Sequence, residues 1–216
     1  AGGNQVAFAW DGGTGGLTQI YLKVVGAGEP LRLTDGTEYA SAPVWSPDGS
    51  SIAYLSSPDN NERLGPSGRI DASSTTRLLV ISALGGAPRE IASYNAHPRP
   101  LSWSVDGKFV VVSMDKAVYA ISVGNKEQRK ILDAPPNHVY RAAILSPDGH
   151  TLALIDSERY ESRPEGKIYL VDVGPDGSAQ GVPRLLRVSQ DAVNSVAWTA
   201  DSKGLVYGGA MSMEPS

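Results

Sequence analysis

The sequence predicts an all-β chain, a β-propeller of four-stranded antiparallel blades, and three observations support this. A short motif returns every 42 to 58 residues: APVWSPDGSSIAYLS (42–56), PLSWSVDGKFVVVSM (100–114), AAILSPDGHTLALID (142–156) and SVAWTADSKGLVYGG (195–209). Self-similarity at such a period marks propellers and solenoids, whose units bury their apolar faces only against neighbours. The stretches between motifs hold alternating runs rich in β-branched residues, each closed by a turn. Finally, 24 Gly and 15 Pro in 216 residues favour many short strands over long helices.

Within one repeat the elements follow in a fixed order. Strand A is the short APVW-type run that ends on Trp45, Trp103, Leu145 or Trp198. A tight turn follows at Asp48, Asp106, Asp148 and Asp201, and after the first three a Gly in the next position accepts the positive φ that such turns need. Strand B then reads IAYL, VVVS, LALI or LVYG, a nearly continuous apolar run suited to burial on both faces. Strand C alternates in residues 19–25, 77–83, 117–123 and 167–173 and ends at a Gly-bearing turn. Strand D (PLRLT, PREIA, RKIL, PRLLRV) carries basic residues, which protect an outer edge from pairing with other chains.

The whole of 1–216 therefore reads as one array. It comprises a partial blade B-C-D at 5–34, full blades at 42–93, 99–133 and 140–188, and a partial blade A-B at 194–209. Closing these pieces on themselves supplies strand B twice, so a ring of roughly six to eight blades is expected, with this chain a contiguous part. The chain opens on AGGNQVAFAW, with Gly2 and Gly3 already in the Asp-Gly places, which suggests a piece of a longer protein. Open blade edges would permit self-association.

Composition narrows the function. A formal charge of −4 leaves no basic surface for nucleic acid, and no apolar run approaches the roughly 18 residues of a membrane helix. The absence of Cys excludes disulfides and thiolate metal sites but does not fix a compartment. No G-x-S-x-G elbow or H-E-x-x-H occurs, and His150 lies apart from the other two histidines, so neither a catalytic constellation nor a metal or cofactor is expected. DGGTGG (11–16) lacks the Lys-Ser/Thr ending and the helix of a phosphate cradle and reads as a hairpin loop. Asp59-Asn60-Asn61-Glu62 misses the alternate-residue spacing of a calcium loop.

Strand directions put the B–C and D–A connections on one face of the disc and the A–B and C–D turns on the other. The long insertions fall in B–C, at 11–16, 57–76 and 156–166, so that face is the expected binding face. Beside the central channel, seven residues ahead of each motif Asp, stand Ser41, Arg99, Arg141 and Asn194, with Glu38, Tyr39, His97, His138, Tyr140 and Asp191 just upstream. Arginines gathered there could hold the anionic group of a small molecule or protein through paired N–H donors. The commoner role of such residues is a solvated rim, with Glu38 and Asp191 balancing the arginines. Four repeated Asp residues are too regular for one active site and should cap their turns, while the Trp column should form inter-blade core.

The recurring WSPDG, in Trp45–Gly49, Ser146–Gly149 and looser copies at Trp103 and Trp198, resembles the TolB-type, WD-like propeller repeat over almost the whole chain. The passages NQVAFAW (4–10) and GAGEPLRLT (26–34) resemble propellers fused behind winged-helix, CadC-like transcriptional regulators of soil bacteria. That resemblance implies a non-catalytic sensory propeller, extracytoplasmic if its parent is membrane-anchored. Similar propellers stand in TolB itself, an envelope scaffold, in sensor kinases, and ahead of prolyl-peptidase and tricorn-type catalytic domains, where they gate substrate. Val105, Ala200 and Ser202 depart from the motif as ordinary repeat drift.

Overall fold

Seventeen strands and no helix fill the described part of a computed structural model, residues 3–58, 75–96, 98, 101–114, 116–158, 166–174, 177–189 and 192–210. The first sheet has three strands, β1 (Gln5–Trp10), β2 (Gln19–Val24) and β3 (Leu31–Arg32). Three four-stranded sheets follow. The second holds β4 (Tyr39–Trp45), β5 (Ser51–Ser57), β6 (Thr76–Ser82) and β7 (Arg89–Tyr94). The third holds β8 (Ser102–Trp103), β9 (Phe109–Met114), β10 (Ala117–Ser122) and β11 (Gln128–Asp133). The fourth holds β12 (His138–Leu145), β13 (Thr151–Glu158), β14 (Gly166–Val173) and β15 (Ala179–Ser189). The last sheet is the pair β16 (Ala192–Trp198) and β17 (Leu205–Ala210).

Every sheet is antiparallel and runs in chain order, the blade arrangement of a β-propeller. Strand B is buried on both faces where a sheet lies on each side: in β5 every residue from Ile52 to Ser57 is buried, and in β9 every residue from Val110 to Met114. The core is accordingly a series of seams. Ile20, Leu22, Ile52 and Tyr54 join the first two sheets, and Leu78, Ile91, Val110 and Val112 join the second and third. Val111, Val118, Leu152 and Leu154 fill the next seam, and Ile155, Ile168, Val193 and Val196 the last. Each such side chain contributes roughly 1.5–3 kcal/mol by leaving water.

The motif turn is closed by its own side chains. Asp48 Oδ1 accepts hydrogen bonds from Ser46 Oγ at 2.6 Å and the Ser50 N–H at 3.0 Å. Ser46 Oγ in turn accepts the Ser51 N–H at 3.0 Å. The same pattern ties Asp106 to Ser104 and Lys108, Asp148 to Ser146 and His150, and Asp201 to Thr199 and Lys203. The Gly place needs a left-handed residue: Gly49, Gly107 and Gly149 hold φ of 69°, 70° and 80°. Ser202 holds φ 61° there without being Gly, and its hydroxyl accepts the Asp148 N–H across the seam at 3.0 Å.

The repeated Trp pins neighbouring blades. Trp103 Nε1 donates to the Val44 carbonyl at 3.0 Å, and Trp198 Nε1 to the Ile144 carbonyl at 2.9 Å. Both acceptors directly precede the Trp column in strand A of the preceding sheet. Where Leu145 replaces Trp, Ser102 takes over, its Oγ accepting the Leu145 N–H at 3.1 Å and donating to the Ala143 carbonyl at 3.4 Å.

Candidate functional site

Strand A is longer than the APVW run suggests and reaches the B–C/D–A face through a bulge. Tyr140 pairs with Asp156 but Ala142 pairs with Ile155, so Arg141 has no partner across the ladder. Val193 pairs with Gly209 and Ser195 with Gly208, which leaves out Asn194. In β4 the slip falls between Ser41, opposite Leu55, and Val44, opposite Ala53, and Ala42 adopts φ 51° to make it. A bulge breaks the two-residue alternation of side chains and re-aims one of them. The residues seven ahead of the motif Asp therefore sit in or beside a bulge in each of these three sheets.

Just ahead of it lie two polar clusters at one repeat position, ten residues before Asp48 and Asp148. Glu38 Oε2 accepts Ser56 Oγ and Arg77 Nη2, each at 2.7 Å. Burial pushes the Glu38 carboxyl up, but the Arg77 and Ser56 bonds outweigh it and hold the group below its usual range. In the fourth sheet His138 takes the Glu38 place and Asp156 the Ser56 place, with His138 Nδ1 at 2.8 Å from Asp156 Oδ2. Asp156 is only 3% exposed and His138 22%. A carboxylate on Nδ1 fixes the imidazole tautomer and leaves Nε2 as an acceptor when neutral and a donor when protonated.

Two polar side-chain atoms of this sheet are buried without a hydrogen-bond partner, Arg141 Nε and the second carboxylate oxygen of this pair, Asp156 Oδ1. No carboxylate among the described residues lies within ion-pair distance of Arg141. An unmet buried donor or acceptor costs about 1–3 kcal/mol, more when charged, so such pairs of orphans call for an explanation.

The other expected site residues separate. Tyr39 opens β4 opposite Ser57 and is half-buried. Tyr140 is corrected from rim to core: at 4% exposure it packs with Val111, Val118 and Leu154, and its backbone carbonyl accepts from Ser113 Oγ. The pleat on that side of the bulge turns its ring into the seam, and burial pushes its hydroxyl up to about 12. His97, Arg99 and Asp191 lie outside the described residues, as does the side chain of Asn194. Glu38 meets Arg77 and His138 meets Asp156, each pair within its own sheet. A groove of about 380 Å³ runs beside the first of these clusters, between the first two sheets, lined by Asp35, Glu38, Tyr54, Arg77 and Glu90.

Arg77, Ser56 and Asp156 belong to these clusters although the motif pattern did not single them out. Asp156 did leave a signal: it ends the run LALID, a carboxylate where the other B strands carry Ser56, Met114 and Gly209. The loop at 11–16 binds itself, Asp11 accepting the Gly13 and Gly15 N–H groups at 2.8 and 3.0 Å. Among the described residues no group of three His, Asp or Glu could hold a metal, and no helix is long and apolar enough to cross a membrane. The stretches 59–62 and most of 156–166 lie outside the described residues.

The comparisons agree on architecture. No family model matches the chain. The crystal structure of TolB from Acinetobacter baumannii superposes with a TM-score of 0.67 at 18% identity, covering 98% of this chain and 48% of that one. A structure from a study of two prolyl endopeptidases matches with a TM-score of 0.59 at 16% identity, covering 88% of this chain and 28% of its own. In sequence, 133 residues are 30% identical to the uncharacterized peptidase YuxL of Bacillus subtilis, over 51% of this chain. The chain thus spans about half of that TolB and a fifth of that peptidase. The fold is a TolB-like β-propeller.

Proposed function

We propose that this chain is a non-catalytic binding propeller of a longer bacterial protein, and that it recognises an anionic group, such as a peptide carboxylate, on the B–C/D–A face. Arg141 carries the reading. It stands on a bulge of the innermost strand, and its Nε is buried without a partner. A carboxylate there would accept from the guanidinium, and a donor on the same ligand could meet Asp156 Oδ1. A charge-assisted bond of this kind is worth about 1.5–3 kcal/mol, or roughly 10- to 150-fold in affinity. In this reading the output lies in an attached domain, as in a sensor protein or a winged-helix regulator of transcription.

The test is calorimetric titration with short peptides bearing a free C-terminal carboxylate and with the same peptides amidated. The free acids should bind at least tenfold more tightly. The double variant Arg99→Ala/Arg141→Ala should lose binding of the free acids and keep its melting temperature. Equal binding by that variant would sink the reading.

A second reading has support of its own: the propeller of a serine peptidase, admitting substrate to a catalytic domain elsewhere in the protein. The match to YuxL and the prolyl endopeptidase structure favour it. The intact mass of the protein from its host, with sequence tags from both ends, separates the two. A winged-helix tag ahead of the propeller supports regulation, and a hydrolase tag after it supports the peptidase.

A further inference from the structure

The first seam holds a hydroxyl where the next two hold hydrocarbon. Six residues after the motif Asp, inside strand B, stand Val112 and Leu154 in the third and fourth sheets but Tyr54 in the second. Tyr54 packs with Ile20, Ile52 and Leu79 and is only 3% exposed. Its hydroxyl bonds to no described residue. It is not sealed in as Trp45 Nε1 is, because Tyr54 lines the groove of about 380 Å³ between the first two sheets. A tyrosine hydroxyl buried in a core ordinarily finds a hydrogen-bond partner inside the protein. This one faces the groove instead.

The groove is acidic. Asp35, Glu38 and Glu90 line it against one cation, Arg77, and Glu90 is a carboxylate on a D strand of the kind that elsewhere carries basic residues. Arg77 is already committed, its Nη2 lying 2.7 Å from Glu38 Oε2. Arg32 is tied by its Nε to the Thr34 carbonyl at 2.7 Å. Asp35 and Glu90 form no ion pair or hydrogen bond with a described residue. Burial pushes the Tyr54 hydroxyl up to about 12, with Arg77 opposing and Asp35 and Glu38 reinforcing the rise, so it remains a neutral phenol that accepts as well as donates. The carboxylates are not grouped to hold a metal ion. Between them the lining is hydrocarbon, from Leu79, Ile81 and Pro88. An acidic rim over apolar walls, in a volume within the roughly 300–1,000 Å³ of ligand sites, suits a cation that brings its own aliphatic stem.

We infer that this groove takes a lysine side chain presented by a peptide or protein partner. The stem lies against Leu79 and Ile81, and the ammonium donates to the Tyr54 hydroxyl under the charge of Asp35 and Glu90. A guanidinium fits less well: its planar fork seeks a carboxylate to grip with two bonds, and Glu38 is already held by Arg77. An ammonium is a compact point charge that a single hydroxyl can meet. The inference does not depend on the role of Arg141, which lies in the fourth sheet.

The probe is the peptide acetyl-Gly-Lys-Gly-amide, titrated calorimetrically into the 216-residue chain; its blocked ends keep it clear of any carboxylate site. Its binding should saturate and weaken with added salt. The same peptide with norleucine for lysine keeps the stem, loses the ammonium and should bind at least about tenfold more weakly. Tyr54→Phe should weaken the lysine peptide by about tenfold. Because the hydroxyl holds no bond within the protein, that variant should keep its melting temperature. The double variant Asp35→Asn/Glu90→Gln should weaken it as well. No saturable heat at millimolar lysine peptide overturns the inference, as does equal binding by the norleucine peptide or by Tyr54→Phe. So does tighter binding of the arginine peptide, which would assign the groove to a guanidinium, or of free butylamine, which would assign it to a small amine.

Discussion

Replacing Trp103 by Phe and Trp45 by Phe removes the same atoms from the same repeat position, yet the two changes should not cost the same. Both lose part of a ring packed against a core seam. In Trp103→Phe the Val44 carbonyl also loses its indole donor at 3.0 Å, which adds about 1–3 kcal/mol for an acceptor left unmet. In Trp45→Phe the deleted N–H had no acceptor, so no bond is broken and a buried unmet donor disappears. Trp103→Phe should therefore be the more destabilising by about 1–3 kcal/mol, with Trp198→Phe beside it. Urea denaturation followed by circular dichroism measures the gap, which corresponds to roughly 2–4 °C in melting temperature per kcal/mol. Equal costs, or a larger one for Trp45→Phe, would refute the view that these indoles act as hydrogen-bonded pins.

Other changes test neighbouring parts of the same scheme. Ser102→Ala removes the hydroxyl that replaces the indole and leaves the Leu145 N–H unpaired, so it should cost about 1–3 kcal/mol in the same urea assay despite being small. Gly149→Ala and Gly85→Ala each impose a left-handed φ on Ala, worth roughly 1–2 kcal/mol. Only Gly149 would also set its Cβ 3.0 Å from Val105 Cγ2, so its midpoint should fall further. The Ser46 hydroxyl, then the Ser50 N–H, hold the Asp48 carboxyl down at about 2, and the corresponding bonds lower Asp148 and Asp201. Burial pushes Asp106 up, but its Ser104 and Lys108 bonds outweigh this. Groups with pKa values lowered by folding stabilise the native state above the unfolded value near 3.8 and lose that contribution as pH falls toward 2. Stability should drop between about pH 4 and 2, and the variant with all four Asp changed to Asn should show a shallower acid limb.

What the sequence made legible was what is local in the chain. The turn at Ser46–Ser51 closes among residues within five positions of one another, so its Asp, its Gly place and the apolar strand after it can be read in line. The pins could not be read this way. Trp103 reaches Val44 and Trp198 reaches Ile144 across a seam between blades, and Ser102 can replace an indole only because β12 stacks against its sheet. The candidate site was half legible. The column holding Arg141 stood out by its distance from the motif Asp, but the bulge that re-aims it depends on a ladder register that spacing alone does not reveal. Tyr140, one residue away, lies in the core for the same reason.

The first seam is fastened differently from the rest. At the channel end Thr18 and Ala40 exchange two hydrogen bonds, the Thr18 carbonyl accepting the Ala40 N–H at 2.8 Å and Thr18 Oγ1 donating to the Ala40 carbonyl at 3.0 Å. Gln19 Nε2 adds a bond to the Glu38 carbonyl at 2.8 Å. At the turn end, the Trp45 indole holds nothing. A plate fixed along one border rocks about that border, so a tilt that lifts the turn end of the first sheet from the second would strain the packed seam but break none of these bonds. The groove lined by Asp35 and Glu90 lies along that joint, so such a tilt would change its width.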